Sequence, residues 1–190
     1  AESFWNESVI DRVYGSARGF SQLGASVDEV QLELGDWYPV FTRIVAEYSA
    51  GALYPLVAGA ARTWGSVRGE PESPLWKGEI EDALAAREAM AQRLLGLFEE
   101  YDILVTATSP VIAPTREEYE HWMASDTHSP EYTRLTGHMN LLGFPAITVP
   151  AGLVDGMPVG MQLVARPDED ARLLRAARAL MQLSPFSHAS

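Results

Sequence analysis

The apolar residues Val9, Ile10, Val13, Ala17, Phe20 and Leu23 recur at helical spacing, and Gly24 stands where a left-handed terminator is wanted, so the pattern predicts an amphipathic helix over 9–23. The stretch that follows, 25–32, alternates imperfectly through Val27, Val30 and Leu32 and reads as a short strand. Asp36 is placed to cap a second helix through Val40, Phe41, Ile44, Val45 and Tyr48, which weakens at Pro55 and Gly59. Five glycines and prolines between Trp64 and Gly78 predict a loop. A third helix is expected over about 79–100, with Ile80, Leu84, Ala91, Leu94, Leu95, Phe98 and Tyr101 as its apolar stripe.

Beyond residue 100 the period changes. Tyr101 to Thr108 is short, apolar and ends in hydroxyls, as expected of a buried strand that delivers polar side chains at its exit, and Ser109-Pro110 stops it. Residues 111–138 show no clean period and read as an irregular or partly helical excursion. Strand-like runs at 146–149 and 159–164 flank Asp155-Gly156, a dipeptide that supplies the positive φ angles of a tight hairpin turn. Pro158 near the start of the second run is tolerable where no amide donor is needed. Pro167-Asp168-Glu169-Asp170 opens a closing helix with acid at its positive dipole end and Leu173, Leu174, Ala177, Leu180 and Met181 as its stripe. Helices enclosing strands in this order predict an α/β fold, a mixed β-sheet flanked by helices.

Composition narrows the function. The 190 residues include no cysteine and carry a net charge of −12, which argues against a disulfide-stapled secreted scaffold and against nucleic acid or anionic lipid as a partner. The most apolar stretch, 139–154, is cut by Asn140, Gly143, Pro145, Pro150 and Gly152 and cannot cross a bilayer as a helix, so no membrane association and a cytoplasmic location are expected. Four histidines, His121, His128, His138 and His188, lack metal-ligand spacing, and neither a metal nor another cofactor is expected. Gly65-Ser66-Val67-Arg68-Gly69 resembles a nucleophile elbow only superficially, and Gly15-Ser16-Ala17-Arg18-Gly19 falls inside the first helix.

Three segments carry a resemblance: Asp102 to Pro110, Asn140 to Gly152, and Asp155 to Val164. In order and spacing they resemble the carboxy-terminal part of the amidase signature family, with its Thr-Pro-Thr-x-Pro strand end, Asn-x-x-Gly-x-Pro-Ala segment and Gly-x-Pro-x-Gly-x-Gln hairpin. Arg166 and the helix from Pro167 to Leu174 resemble that family's closing element. The resemblance implies that 1–190 is the carboxy-terminal part of a single amidase-signature domain, with a variable helical region at about 36–100 and the motif-bearing part at 101–183. It also implies hydrolysis of a small-molecule carboxamide through an acyl-serine intermediate.

The family's chemistry rests on a Ser-cisSer-Lys triad, and this chain does not match it. Its one lysine, Lys77, is followed by Glu79, Glu81 and Asp82. A neutral amine base would need its pKa lowered from about 10.4 toward about 7, roughly 4 to 5 kcal/mol, and acidic neighbours push the other way. No catalytic residue is therefore assigned here, and the expected partner is the triad-bearing amino-terminal half; the exposed sheet edges of the isolated chain also leave a homodimer open.

By position, the resemblance puts Thr106, Thr108 and Ser109 at the acyl site, with strand-end hydrogen bonding as the competing role for the two threonines. Trp122 and Arg134 lie in the segment that would shape the substrate pocket. Asn140, Gly143, Pro145, Gly160 and Gln162 carry the structural motif, Asn140 as a buried amide satisfying the turn before Pro145 and Gln162 as a hydrogen-bonder on the face opposite Met161 and Leu163. The A subunits of glutamyl-tRNA amidotransferases carry an acid seven positions before the motif asparagine. Thr133 stands there in this chain, so hydrolysis of another amide is expected in place of glutamine-dependent transamidation. The alternative is a non-catalytic α/β binding or regulatory module derived from the same fold.

Overall fold

A computed structural model describes residues 5–48, 79–125 and 133–183. The chain divides into two compact units, one formed by 1–33 and 95–190 and the other by 34–94. The expected loop at 64–78, with Lys77 and Ser66, lies outside the described residues, as do His128, Tyr132 and His188.

In the first unit, helix α1 (Glu7–Ala17) starts where Asn6 accepts the Val9 amide on its side-chain oxygen, an N-cap that meets one of the four unpaired amides of a helix start. The expected single helix is broken at Arg18 and resumes as the short α2 (Gly19–Gln22). Gly24, at φ +86°, ends it: its amide and that of Ala25 donate back to the carbonyls of Ser21 and Phe20. The predicted strand over 25–32 does not form. Val27, Val30 and Leu32 are spaced three and then two apart, so they cannot line one face of a strand, and all three are exposed.

Three strands make the sheet: β1 (Leu104–Ala107), β2 (Ala146–Val154) and β3 (Met157–Val164), in the order β1-β3-β2. The helices flank this sheet as expected, but every pairing among the described residues is antiparallel where a mixed sheet was predicted. The β2–β3 hairpin turns on Asp155 and Gly156 at φ +51° and +78°, the conformation its sequence calls for. A bulge between Pro150 and Gly152 shifts the register by one. Gly152 sits at φ +122°, and a Cβ there would collide with the Arg12 guanidinium of α1.

The pleat sends Ala107, Val149, Met161 and Leu163 to one face, where α1 (Val9, Val13, Ala17) and the closing helix (Leu173, Ala177, Leu180) cover them. Met161 and Leu163 are fully buried, each worth about 1.5 to 3 kcal/mol of burial. That closing helix is Asp170–Leu183, which follows two further helices, Arg116–Ser125 and Arg134–Leu142, so in chain order it is α7 and they are α5 and α6. Its buried stripe is narrower than predicted, because Leu174 and Met181 point outward, one step round the helix from the residues that reach the sheet. Arg172 pairs with Asp102 and Glu169, and Arg166 with Glu99; Asp102 and Glu99 are exposed and the arginines and Glu169 half-buried, and ion pairs this open to water contribute little each.

In the second unit, α3 (Trp37–Tyr48) begins as predicted, with the Tyr38 amide donating to Asp36 Oδ1 at 3.2 Å. Helix α4 (Ile80–Leu97) crosses from this unit into the first at Leu94. Its buried positions are Ala83, Met90 and Leu94, continued by Phe98, and Leu84 is exposed; the stripe is rotated from the predicted one. Phe98 stacks on Phe144 with ring centroids 5.9 Å apart.

Candidate functional site

The face of the sheet opposite α1 and α7 carries polar residues. Thr106, Gln162 and Thr148 are directly opposed across the three strands, and one step along the ladder Thr108 follows Thr106 while Gly160 faces Pro150. Strand alternation therefore puts Thr106, Thr108, Thr148, Gly160 and Gln162 on one side.

Gln162 is 3% exposed, and its amide nitrogen donates to Thr106 Oγ1 and to the Leu135 carbonyl, both at 3.1 Å. It links β1 to the first turn of α6. Thr106 Oγ1 in turn donates to the Ala107 carbonyl at 3.1 Å, so this hydroxyl is used within the strand end. Thr108 Oγ1 lies 3.0 Å from Thr148 Oγ1, a bridge between strands that are not neighbours. Gly160 makes it feasible: a Cβ on this intervening residue would stand 2.8 Å from Thr148 Cγ2 and 2.9 Å from Thr108 Oγ1. Thr148 has no counterpart among the sequence-predicted site residues. The hairpin turn alone does not reveal it: an unbroken ladder from Asp155-Gly156 would set Thr148 opposite Leu163, and the bulge between Pro150 and Gly152 brings it opposite Gln162.

Ser109 Oγ closes its own turn, donating to the Val111 carbonyl at 2.9 Å and accepting the Val111 amide at 3.3 Å. Arg134 is exposed at the first position of α6, next to the Leu135 carbonyl that Gln162 holds. Trp122 falls within α5, its side chain outside the described residues. Helix α5 opens on a capping box: the Thr115 amide and hydroxyl donate to Glu118 Oε2 at 2.7 and 2.8 Å, and the Glu118 amide donates to Thr115 Oγ1 at 3.2 Å. These bonds favour the carboxylate and lower the Glu118 pKa from its ordinary value.

The role expected of Asn140 is corrected. Its side chain is exposed on α6, and the amides of Gly143 and Phe144 both donate to the Met139 carbonyl. Gly143, at φ +77°, provides the left-handed step that lets this helix end satisfy itself, so no buried amide is needed. Pro145 contributes its carbonyl, which accepts the Ala165 amide at 3.1 Å and starts the β2–β3 ladder.

Among the described residues no group of three histidine or acidic side chains could hold a metal ion, and no helix is long and apolar enough to cross a membrane. His138 Nδ1 is 2.9 Å from the Arg134 carbonyl one turn back, and His121 is exposed on α5.

Comparison with known proteins gives this arrangement a context. The family model for amidases matches residues 68–174. The glutamyl-tRNA(Gln) amidotransferase A subunit of Moorella thermoacetica is 37% identical over 105 residues, which cover 55% of this chain and 21% of that protein. Its counterpart in Syntrophomonas wolfei is 28% identical over 209 residues, covering 95% of this chain and 42% of that protein. A crystal structure of an amidase superposes with a TM-score of 0.69 at 25% identity, covering 94% of this chain and 42% of the solved one. The chain thus spans between one-fifth and about two-fifths of the length of these relatives.

Proposed function

This chain belongs to the amidase family, and from that we propose that it forms one part of an amidase-signature amidohydrolase that splits a small carboxamide through an acyl-serine intermediate. The observation that carries the reading is the coincidence of the matched region with the polar face: the strand end 106–109 and the hairpin residues Thr148, Gly160 and Gln162 all fall within residues 68–174.

In this reading the chain supplies a wall of the substrate cleft, and the serine pair and lysine base come from the remainder of the fold. Thr108, bridged to Thr148, leaves one hydroxyl proton of the pair free to donate to an amide carbonyl. Arg134 and Trp122 belong to the segment that shapes the pocket, while Thr106 and Ser109, whose hydroxyls are engaged in the chain's own backbone, form the wall without donating to substrate. Gln162 is a positioning residue that holds the start of α6 over the sheet. Region 36–100 is the variable part of the single domain. Thr133 in place of an acid favours hydrolysis of an amide other than glutamine.

The test is hydrolysis of a simple primary amide, followed as ammonia release, by the chain alone and after mixing or fusing it with a triad-bearing portion of an amidase-signature protein. Turnover is expected only in the completed protein. Turnover by the chain alone, or none in a folded complex, refutes the reading.

A further inference from the structure

The β2–β3 hairpin answers to two constraints that disagree by one residue. From the turn at Asp155-Gly156 the ladder pairs Val154 with Met157, Leu153 with Pro158 and Gly152 with Val159. Run on without a break, it would set Val149 opposite Gln162 and Thr148 opposite Leu163. A slip of one residue exchanges the two faces of a strand, so Thr148 would enter the core and Val149 the polar face. The observed ladder instead pairs Val149 with Met161 and Thr148 with Gln162, and the whole difference is taken up between Pro150 and Gly152.

That bulge fits one place in the strand. Ala151, which has no partner in the ladder, is buried in the core cluster with Val9 and Val13 of α1. The next residue turns the same way, since a Cβ on Gly152 would meet the Arg12 guanidinium of the same helix. Two successive positions on one face require a backbone step outside the extended region, and Gly152 makes it at φ +122°. Every other residue of β2 carries a Cβ, which disfavours that step, and the ring of Pro150 holds its φ near about −65°. The exposed Arg12 side chain fills the space that the glycine leaves.

We propose that Gly152 is a positioning residue of the substrate cleft: through the bulge it fixes, it turns Thr148 to the polar face, where the Thr148 hydroxyl meets that of Thr108 at 3.0 Å across Gly160. This rests on the reading that the Thr108–Thr148 pair donates to an amide carbonyl of the substrate. Gly152 itself faces α1, on the side of the sheet away from the hydroxyl pair, and acts on it through register alone.

The experiment follows the contact between the α protons of Thr148 and Gln162 by NMR in the labelled 190-residue chain. The Ala165 amide bonds to the Pro145 carbonyl, so alternation along the ladder makes Thr148 and Gln162 a non-hydrogen-bonded pair, with Cα atoms about 4.5 Å apart. Gly152→Ala should abolish this contact. Deleting Ala151 as well removes the extra residue, so that an unbroken ladder from the turn again pairs Thr148 with Gln162, and the contact should return. In the protein completed by a triad-bearing portion, Gly152→Ala should lower kcat/KM by up to about tenfold, as should Thr148→Val, with no further loss when the two are combined. Deleting Ala151 should reverse the loss caused by Gly152→Ala. Persistence of the contact in Gly152→Ala, or its loss with kcat/KM unchanged, overturns the proposal. If Gly152→Ala alone does not fold, recovery of fold and contact on deleting Ala151 supports the proposal, and failure to recover them overturns it. A wild-type chain that shows the contact yet gives no turnover when completed defeats the proposed chemistry alone, and turnover with the contact intact in Gly152→Ala defeats the register role alone.

Discussion

Replacing Gly160 by alanine tests the cross-strand hydroxyl bridge most directly. The added Cβ would lie 2.8 Å from Thr148 Cγ2, 2.9 Å from Thr108 Oγ1 and 3.2 Å from Thr108 Cβ, closer than carbon and oxygen approach without bonding. Both neighbours branch at Cβ, so neither can swing aside without leaving its preferred rotamer. Overpacking of this kind costs about 1 to 3 kcal/mol. Against it stands about 0.4 to 1 kcal/mol gained because alanine has fewer unfolded conformations to lose. The net expectation is destabilisation of about 1 to 2 kcal/mol, with the 3.0 Å Thr108–Thr148 bond broken. Urea unfolding would read this as a midpoint shift of roughly 0.5 to 1 M at a slope of about 2 kcal/mol/M. The compensating change is Thr148→Ser, which removes the methyl the new Cβ meets first and keeps the hydroxyl. The double variant should recover more than half of the loss, a coupling well beyond the roughly 0.3 to 0.5 kcal/mol scatter of independent sites. Equal stability of Gly160→Ala and wild type, or strict additivity of the two changes, refutes the clasp.

Gln162→Leu keeps the volume and removes both amide donations, so it should cost about 1 to 3 kcal/mol, measured by the same urea titration; a shift below the error of the midpoint counts against the link between β1 and α6. Gly143→Ala forces a side chain into the left-handed region at φ +77° and should cost about 1 to 2 kcal/mol, seen as lower thermal stability, whereas Asn140→Ala should be close to neutral. The capping box predicts a pH dependence. Because the folded-state pKa of Glu118 is lowered, its contribution is present above the unfolded value of about 4.3 and is lost as the pH falls through the folded one. The Thr115 amide resonance should report that acid transition, and Glu118→Gln should abolish it while leaving α5 capped.

The sequence displayed elements whose signals are local. Asp155-Gly156 and the flanking alternation announced the hairpin, and Gly24 announced a helix end, because φ-positive turns demand those residues whatever surrounds them. Thr115 and Glu118 carry a capping-box spacing that was equally local, and the reading of 111–138 as irregular or partly helical passed over it. Which side of a helix is buried was harder to see. Leu84, Leu174 and Met181 fit a periodic stripe, yet the packing surface each helix meets is narrower than the stripe. The strand expected at 25–32 failed for a related reason, since pairing needs a neighbour that no local pattern specifies. At the site, Thr108 and Gln162 were visible as strand-end and hairpin polars. Thr148 was not, because its importance arises only when two sequence-distant strands straddle a glycine.

The separation between β1 and its inner partner carries a cost in time. Ala107 pairs with Met161, 54 residues later in the chain, whereas the hairpin closes across two residues. At synthesis rates of about 5 to 20 residues per second, β1 leaves the ribosome roughly 3 to 10 seconds before β3 exists to receive it. During that interval both of its sides are bare and its sequence is apolar, so the nascent chain should be most dependent on chaperone protection between the emergence of Leu104 and that of Val164.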